Sequence, residues 1–369
     1  MRTRPTSVQG RSGRPRLRPY GSGVTWTFRP AARARRSPAG PTAPVAFHVS
    51  LAGYAPTPLV ELPELAAELG VGRVLVKDES ERLGLPAFKI LGVSWAVHQI
   101  LKTGTPRAVL TASDGNHGWA LARVAAQRGL HAQVYLPDGV HPAVRAAIAA
   151  EGATVVDVPG SYDAAVAAAA ADADAGGGML VQDTAWAGYE EIPAWIVEGY
   201  LTLFAELDAQ LSVAPNLVIV PAGVGSLAQA AVTHYRRPGL TPAPALLTVE
   251  PDSAACVLES LTRDRPCRVA TGATIMAGLN CGTISRLAWP VLRAGLDAAC
   301  SVSDRAAATA AADLARLGVP AGPCAAAALA RRAHRPASGR SARRQRQVRS
   351  RAAEHRGPGG QPIPRGESP

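Results

Sequence analysis

Short apolar runs rich in β-branched residues recur along the middle of the chain and alternate with alanine-rich segments of helical pattern. The runs at 74–77, 108–110, 132–136, 154–158, 217–220 and 245–249 read as strands. The segments at 88–101, 116–128, 141–150, 162–175, 190–210, 225–236 and 304–317 read as helices. Strand followed by helix, repeated, predicts parallel sheets with helices on both faces, and near-continuous apolar strands agree with burial on both sides. In such sheets ligands lie beyond the carboxyl ends of the strands, so the loops that follow strands are where chemistry is expected.

Composition adds the limits of this pattern. Of the 369 residues, 47% are apolar, enough for large cores, and the formal net charge is +11. That charge is unevenly placed. Residues 1–50 hold ten Arg and no acid, and 331–369 hold eleven Arg against two Glu. The 18 basic and 26 acidic residues left in 51–330 make the body acidic, at −8. Both ends are rich in Gly, Pro, Ser and Arg and lack apolar periodicity, so 1–44 is expected to be a disordered basic leader and 331–369 a disordered tail. Arg-rich tails can hold polyanions without specificity, but no specific nucleic-acid partner is expected of the acidic body. No run of 18 apolar residues and no signal-peptide pattern occurs, so neither a membrane partner nor export is expected, and the expected location is cytoplasmic. Cys256, Cys267, Cys281, Cys300 and Cys324 show no CxxC spacing; no metal site is expected, and Cys256 and Cys281 are the two that could meet in the fold.

Three loops carry candidate chemistry. The chain has only three lysines, and Lys102 reads as solvent-exposed, Lys77 as paired with Asp78 or Glu79. Lys89 starts a helix between apolar Phe88 and Ile90, where burial and the positive helix end are expected to depress its pKa, as an imine-forming amine requires; a lysine snorkelling from an amphipathic helix is the ordinary alternative. In "TASDGNHG", residues 111–118, helix capping accounts for one polar residue but not for Asp114, Asn116 and His117 together; His117 reads as a packed or capping histidine with no proton-transfer role. The loop "PAGVGSLA", residues 221–228, follows a strand and opens a helix, so its backbone N–H groups suit a phosphate. Gly223, Gly225 and Ala228 also fit a dinucleotide fingerprint, with Glu250 about 20 residues after Ala228 at the place of a ribose-binding acid.

Taken together, "AFK", "SDGNHG" and "GVGSLA" resemble the fold-type II pyridoxal-phosphate enzymes, the superfamily of tryptophan synthase β-subunit, threonine synthase and the serine/threonine dehydratases. The stretches "LVKDESERLGLPAFKILG", "QDTAWAGYEEIPAWIVEGYLTL" and "ATIMAGLNCG" are similar to the diaminopropionate ammonia-lyases, over roughly 45–325. The resemblance implies an α/β fold of two doubly wound parallel-sheet domains with the cofactor in the cleft between them. The large domain would be 45–91 with 183–330, incomplete at its C-terminal end, and the small domain 92–182. It implies that Lys89 binds pyridoxal 5'-phosphate covalently and returns as a base, that Gly223, Val224, Gly225 and Ser226 hold the phosphate, and that Asn116 meets the cofactor's 3'-oxygen. Asp114 and Asp183 would be catalytic acids; where related dehydratases carry serine before Gly-Asn-His, this chain carries Asp114. Two carboxylates suit a dicationic diamino acid better than serine or threonine. The implied reaction is elimination of ammonia from 2,3-diaminopropionate, giving pyruvate and ammonia, by a homodimer acting on a small amino acid in amino-acid catabolism. Three alternatives remain: a serine/threonine dehydratase, a nicotinamide-dependent dehydrogenase using 223–250, and an inactive remnant. The last arises because "RRAHRPASGRSARRQRQVRS" after residue 330 stands where the family would continue with apolar elements, as a frameshift would produce.

Overall fold

The computed structural model describes residues 25–330. The chain enters through β1 (Trp26–Phe28), α1 (Ala43–Val49), β2 (Leu59–Glu61), α2 (Pro63–Leu69) and β3 (Leu75–Lys77). From α3 (Lys89–Thr103) strand and helix alternate through β4 (Val109–Ala112), α4 (Asn116–Gln127), β5 (Ala132–Leu136), α5 (Pro142–Ala150), β6 (Thr154–Asp157), α6 (Tyr162–Asp174) and β7 (Met179–Leu180). The long α7 (Glu191–Gln210) then leads to β8 (Leu217–Pro221), α8 (Ser226–Tyr235), β9 (Ala245–Pro251), α9 (Cys256–Arg263), α10 (Ala288–Gly295), β10 (Ala298–Val302), α11 (Asp304–Arg316) and α12 (Pro323–Ala330).

Local chemistry explains several of these boundaries. Ser161 and Ser303 stand before α6 and α11 in extended conformation and accept from the backbone N–H groups of Ala164 and Ala306, while Pro142 opens α5. The strands carry buried residues on both faces, as in β4, all four of whose residues are buried, because helices cover the sheet from both sides.

Two four-stranded sheets result. One has the order β6-β5-β4-β7 and is parallel throughout. The other has the order β1-β10-β9-β8, parallel except for β1, which pairs antiparallel with β10 at the edge. The α/β architecture with parallel sheets is the expected one. Two expectations fail. The described part of the 1–44 leader is folded, since Trp26 lies against Cys300 in strand register and is buried; its partner strand is nearly the whole chain away, which a local reading of arginine content cannot reveal. The run at 74–77 joins neither parallel sheet but forms an antiparallel pair with β2, Leu59 opposite Lys77. Residues 1–24 of the leader and the 331–369 tail lie outside the described residues.

The largest core cluster joins α3, α4, α7, α8, α9 and α10, with Leu91, Val93, Ala96 and Val97 of α3 wholly buried. The crossing of α3 over α7 is unusually close. A Cβ on Gly92 would sit 2.8 Å from the Ile196 carbonyl oxygen, and one on Gly199 would sit 2.7 Å from the Gly92 Cα. Only glycine on both helices lets the two backbones touch. This contact matters for function because Lys89 is the first residue of α3, and its position follows that of α7.

A second anchor secures the loop that delivers Lys89. Arg82 is completely buried; it donates to Glu206 of α7 at 2.6 and 2.8 Å, to Glu79 at 2.7 and 2.9 Å and to the Thr57 hydroxyl at 2.9 Å. Lys77 joins at 2.6 Å from Glu206, in place of the expected pairing with Asp78 or Glu79, because α7 offers it a buried acceptor.

Candidate active site

The first sheet reverses its winding between β4 and β7: β5 and β6 extend to one side of β4 and β7 to the other. The loops at such a switch point diverge and leave a crevice. The loop after β4 carries Asp114, Asn116 and His117, and the segment after β7 carries Gln182 and Asp183. Lys89 reaches the same place from the start of α3, where its ammonium forms a very short ion pair with Asp183.

Capping does not explain the polar loop. Ser113 does that work: its hydroxyl accepts from Gly115 at 3.0 Å and from Gly118 at 2.9 Å, in the first turn of α4. Asp114 is therefore released from a capping duty. Burial raises its pKa to about 6, the negative charge of Asp183 adding to this and the Lys89 ammonium opposing it. Such a carboxyl changes protonation close to neutral pH and can both take and give a proton. Asp183 differs. Burial pushes its pKa up, but the Lys89 ammonium outweighs this and holds it ionised, below the usual carboxylate range.

Lys89 departs from expectation. Burial lowers its pKa, yet Asp183, with further help from Tyr200, more than reverses this, and the ammonium is held above the ordinary lysine range. The partner lies 94 residues away, beyond the reach of a local reading. Lys89 also stands 5.6 Å from the Phe88 ring centre and 5.9 Å from that of Tyr200. Tyr200 is wholly buried and its hydroxyl closes no hydrogen bond. His117 is buried, with Nε2 2.8 Å from the Val181 carbonyl oxygen. Asn116, the first residue of α4, is exposed.

The glycine loop closes the other side. Gly225 has φ +97°, a left-handed conformation that turns β8 into α8 and aims the first N–H groups of that helix outward. At Gly223 a Cβ would meet Cys281 Sγ at 3.0 Å and the Gly278 carbonyl oxygen at 3.3 Å, so the cradle admits backbone only. Cys256 and Cys281 do flank one feature, Gly223, where the Cys256 thiol lies 3.5 Å from the carbonyl oxygen; both are free thiols. The Ser226 hydroxyl is occupied: it donates to the Asp183 carbonyl oxygen at 2.6 Å, leaving its backbone N–H, with those of Val224 and Gly225, for an anion. Ser285 ties the same loops together, accepting from Ala185 N–H at 3.0 Å and donating its own N–H to the Val224 carbonyl at 2.9 Å.

Residues that sequence reasoning missed are Tyr162, Gln182, Tyr200 and Ser285. Gln182 spans the crevice floor, accepting from Thr111 at 2.7 Å and donating to the Tyr162 hydroxyl at 2.6 Å. Tyr162 is pushed far above the usual phenol range by burial and by Asp183, Cys281 and Asp114, which places it among them. Its only sequence signal was an isolated aromatic opening an alanine-rich helix. The dinucleotide alternative loses its acid, since Glu250 is completely buried and accepts the N–H groups of Val257 at 2.7 Å and Leu258 at 2.8 Å, capping α9. A ribose cannot reach it.

An open cleft of about 410 Å³ lies elsewhere: Arg107, His131, Gln133 and Asp172 line it at the opposite end of β4 and β5. The switch-point crevice fits a phosphorylated aldehyde better. It offers an amine, an N–H cradle too tight for a Cβ, and a buried hydroxyl and imidazole nitrogen without partners.

Comparison with known proteins points to the same cofactor. Residues 51–346 match the family described as pyridoxal-phosphate dependent enzyme. The chain is 40% identical over 280 residues to the diaminopropionate ammonia-lyase of Salmonella typhimurium, covering 68% of this chain and 69% of that one. A biosynthetic L-threonine dehydratase of Mycobacterium tuberculosis is 30% identical over 214 residues, 57% of this chain and 47% of its own length. Among solved structures, Escherichia coli diaminopropionate ammonia-lyase in complex with an aminoacrylate-PLP azomethine reaction intermediate superposes with a TM-score of 0.76 at 31% identity, covering 89% of this chain and 91% of that one.

Proposed function

The chain belongs to the family of pyridoxal-phosphate dependent enzymes, and from that premise we propose that it is an ammonia-lyase that converts 2,3-diaminopropionate and water to pyruvate and two molecules of ammonia. The observation that carries the substrate is the pair of carboxylates, Asp114 and Asp183, around a single lysine. A substrate with two ammonium groups supplies the cations that this pair lacks, which serine or threonine does not.

Pyridoxal phosphate supplies an electron sink for the carbanion formed at the substrate's α-carbon. The remaining work falls to the chain. The N–H groups of Val224, Gly225 and Ser226 would bind the phosphate, Gly223 would leave room for it, and Asn116 would contact the ring oxygen from the start of α4. Lys89 would hold the cofactor's aldehyde carbon and, as a free amine, would be the base for an L-substrate; Asp114 would be the base for a D-substrate. Asp183 pairs with the Lys89 ammonium while that amine is free, and with the substrate's second ammonium once substrate is bound. The buried floor of Thr111, Gln182 and Tyr162 excludes water.

The same reading divides the chain into a large domain of 45–91 with 183–330 and a small domain of 92–182, the crevice between them. It takes the enzyme as a cytoplasmic homodimer of amino-acid catabolism; among the described residues no helix is long and apolar enough to cross a membrane.

Adding pyridoxal phosphate to the purified chain should give a visible band near ~410–420 nm that is absent from Lys89→Ala, together with pyruvate release from diaminopropionate exceeding that from serine. A band that survives in Lys89→Ala would overturn the assignment of the lysine. Faster turnover of serine or threonine would move the chain to the dehydratases, and a chain that binds no cofactor would be an inactive remnant.

A further inference from the structure

His117 has no task in the chemistry described so far. Its ring is buried, and Nε2 is pinned as a donor by the Val181 carbonyl oxygen at 2.8 Å. In the neutral ring that leaves a lone pair on Nδ1. The lone pair has no hydrogen-bond partner, and at 3.9 Å it faces Oδ2 of Asp183, the same oxygen that pairs with Lys89. A buried acceptor directed at a carboxylate is an unfavourable arrangement unless a proton can be placed between the two.

The charges around it explain why none is there. Burial holds His117 neutral, Asp183 favours its protonation, and the Lys89 ammonium opposes it. Asp114, on the loop leading into α4, and the neutral Tyr162, Tyr189, Tyr200 and Cys281 are the other titratable groups around Asp183. Asp183 thus has two candidate cations, and while Lys89 is one, His117 is not needed as the other.

We propose that His117 is the reserve cation of this site, a positioning residue that takes over Asp183 whenever the Lys89 ammonium is withdrawn. A proton from solvent joins the Nδ1 lone pair, no bond in the chain breaks, the ring passes from neutral to singly positive, and Asp183 remains an anion. The carboxylate is then held ionised and oriented until a substrate ammonium arrives, whereupon the proton returns to solvent. The inference rests on Lys89 being the covalent attachment point, since that is what removes its ammonium.

The first test needs neither cofactor nor turnover, so it can fail while the proposed activity stands. The chain is labelled with ¹³C-histidine, the His117 resonance is assigned through His117→Asn, and its titration is followed in the parent, in Lys89→Met and in the double variant Lys89→Met/Asp183→Asn. The midpoint should rise by about one pH unit or more in Lys89→Met and fall back in the double variant. A His117 that titrates no higher without Lys89, or that rises equally without Asp183, overturns the proposal. Should Lys89→Met not fold, calorimetry of pyridoxal phosphate binding in two buffers of different ionisation enthalpy decides: the parent should take up close to one proton more than His117→Asn, and equal uptake overturns it.

Discussion

Two buried clusters of charge share helix α7, which brings Glu206 to one and Tyr200 to the other, and they are built differently. Around Arg82 two cations, Arg82 and Lys77, meet two anions, Glu79 and Glu206, and Thr57 and Tyr54 add further hydrogen bonds to the same carboxylates. Around Lys89 one ammonium serves two carboxylates, and His117 Nδ1 and the Tyr200 hydroxyl are left without partners. The first cluster is complete without a ligand. The second is a set of polar groups whose bonds remain to be made, and in a protein interior that costs stability unless something else occupies the space. Charge burial alone would not distinguish the two; the count of open partners does.

The largest effect should come from breaking the complete cluster. Arg82→Met leaves Glu79 and Glu206 buried without their main cation, and the loss of unfolding free energy should be about 3–5 kcal/mol, the range for removing one partner of a buried pair. Urea denaturation at neutral pH measures it. A change below about 1 kcal/mol would mean that Lys77 alone balances Glu206 and that the network is not what anchors the 78–88 loop. The visible band of cofactor-loaded material should survive in the fraction that folds, because Arg82 touches no atom of the crevice described above.

The incomplete cluster should respond in the opposite direction. With its pKa raised to about 6, Asp114 is ionised at neutral pH against the cost of its burial, so Asp114→Asn should raise unfolding stability, by about 1 kcal/mol after allowing for partial solvent access. The same substitution should lower turnover of D-diaminopropionate about 100-fold, near 2.7 kcal/mol of barrier, with little change in cofactor affinity. Parent-like turnover of the D-substrate would remove Asp114 as its base. A loss of stability would show that Asp114 belongs with the structural charges, and the contrast between the clusters would fall.

How far these clusters were legible follows from how local their signals are. Asp114, Asn116 and Asp183 sit in contiguous motifs just after strand ends, Lys89 opens a helix, and β5 at Ala132–Leu136 has the bounds its apolar run predicts. What depends on distant partners was not legible. The pKa of Lys89 moves upward instead of down because of Asp183. Lys77 finds Glu206, 129 residues on, rather than its neighbours. Strand β10, "AACSV", has too little β-branched character to announce itself, and β1 exists because β10 offers it an edge. Tyr200 lies within a long apolar helix, where an aromatic reads as core; only the fold shows its hydroxyl beside Lys89.

The smallest effect tests what joins the two clusters, the α3–α7 crossing, where His48 stands. It matches His117 in one respect, Nε2 donating to a backbone carbonyl, here Leu91 at 2.9 Å, but its Nδ1 accepts from the Thr202 hydroxyl at 2.7 Å, so the neutral ring is fully satisfied. Burial lowers its pKa from 6.5 to about 4, with Arg82 and His98 adding to the fall and Glu206 and the Leu91 bond opposing it. Because the folded value lies below the unfolded one, the unfolded chain takes the proton first as pH falls. The stability that neutral His48 contributes is present above 6.5 and drains away towards 4. At pH 5.5 the loss should be about 1 kcal/mol relative to pH 7.5, and His48→Gln, which cannot titrate, should be less stable at pH 7.5 but lack this component of the slope. Denaturant unfolding of both proteins at the two pH values isolates it. Equal slopes would mean that His48 can be protonated inside the crossing, which would require the contact of Gly92 with Gly199 to open enough to admit water.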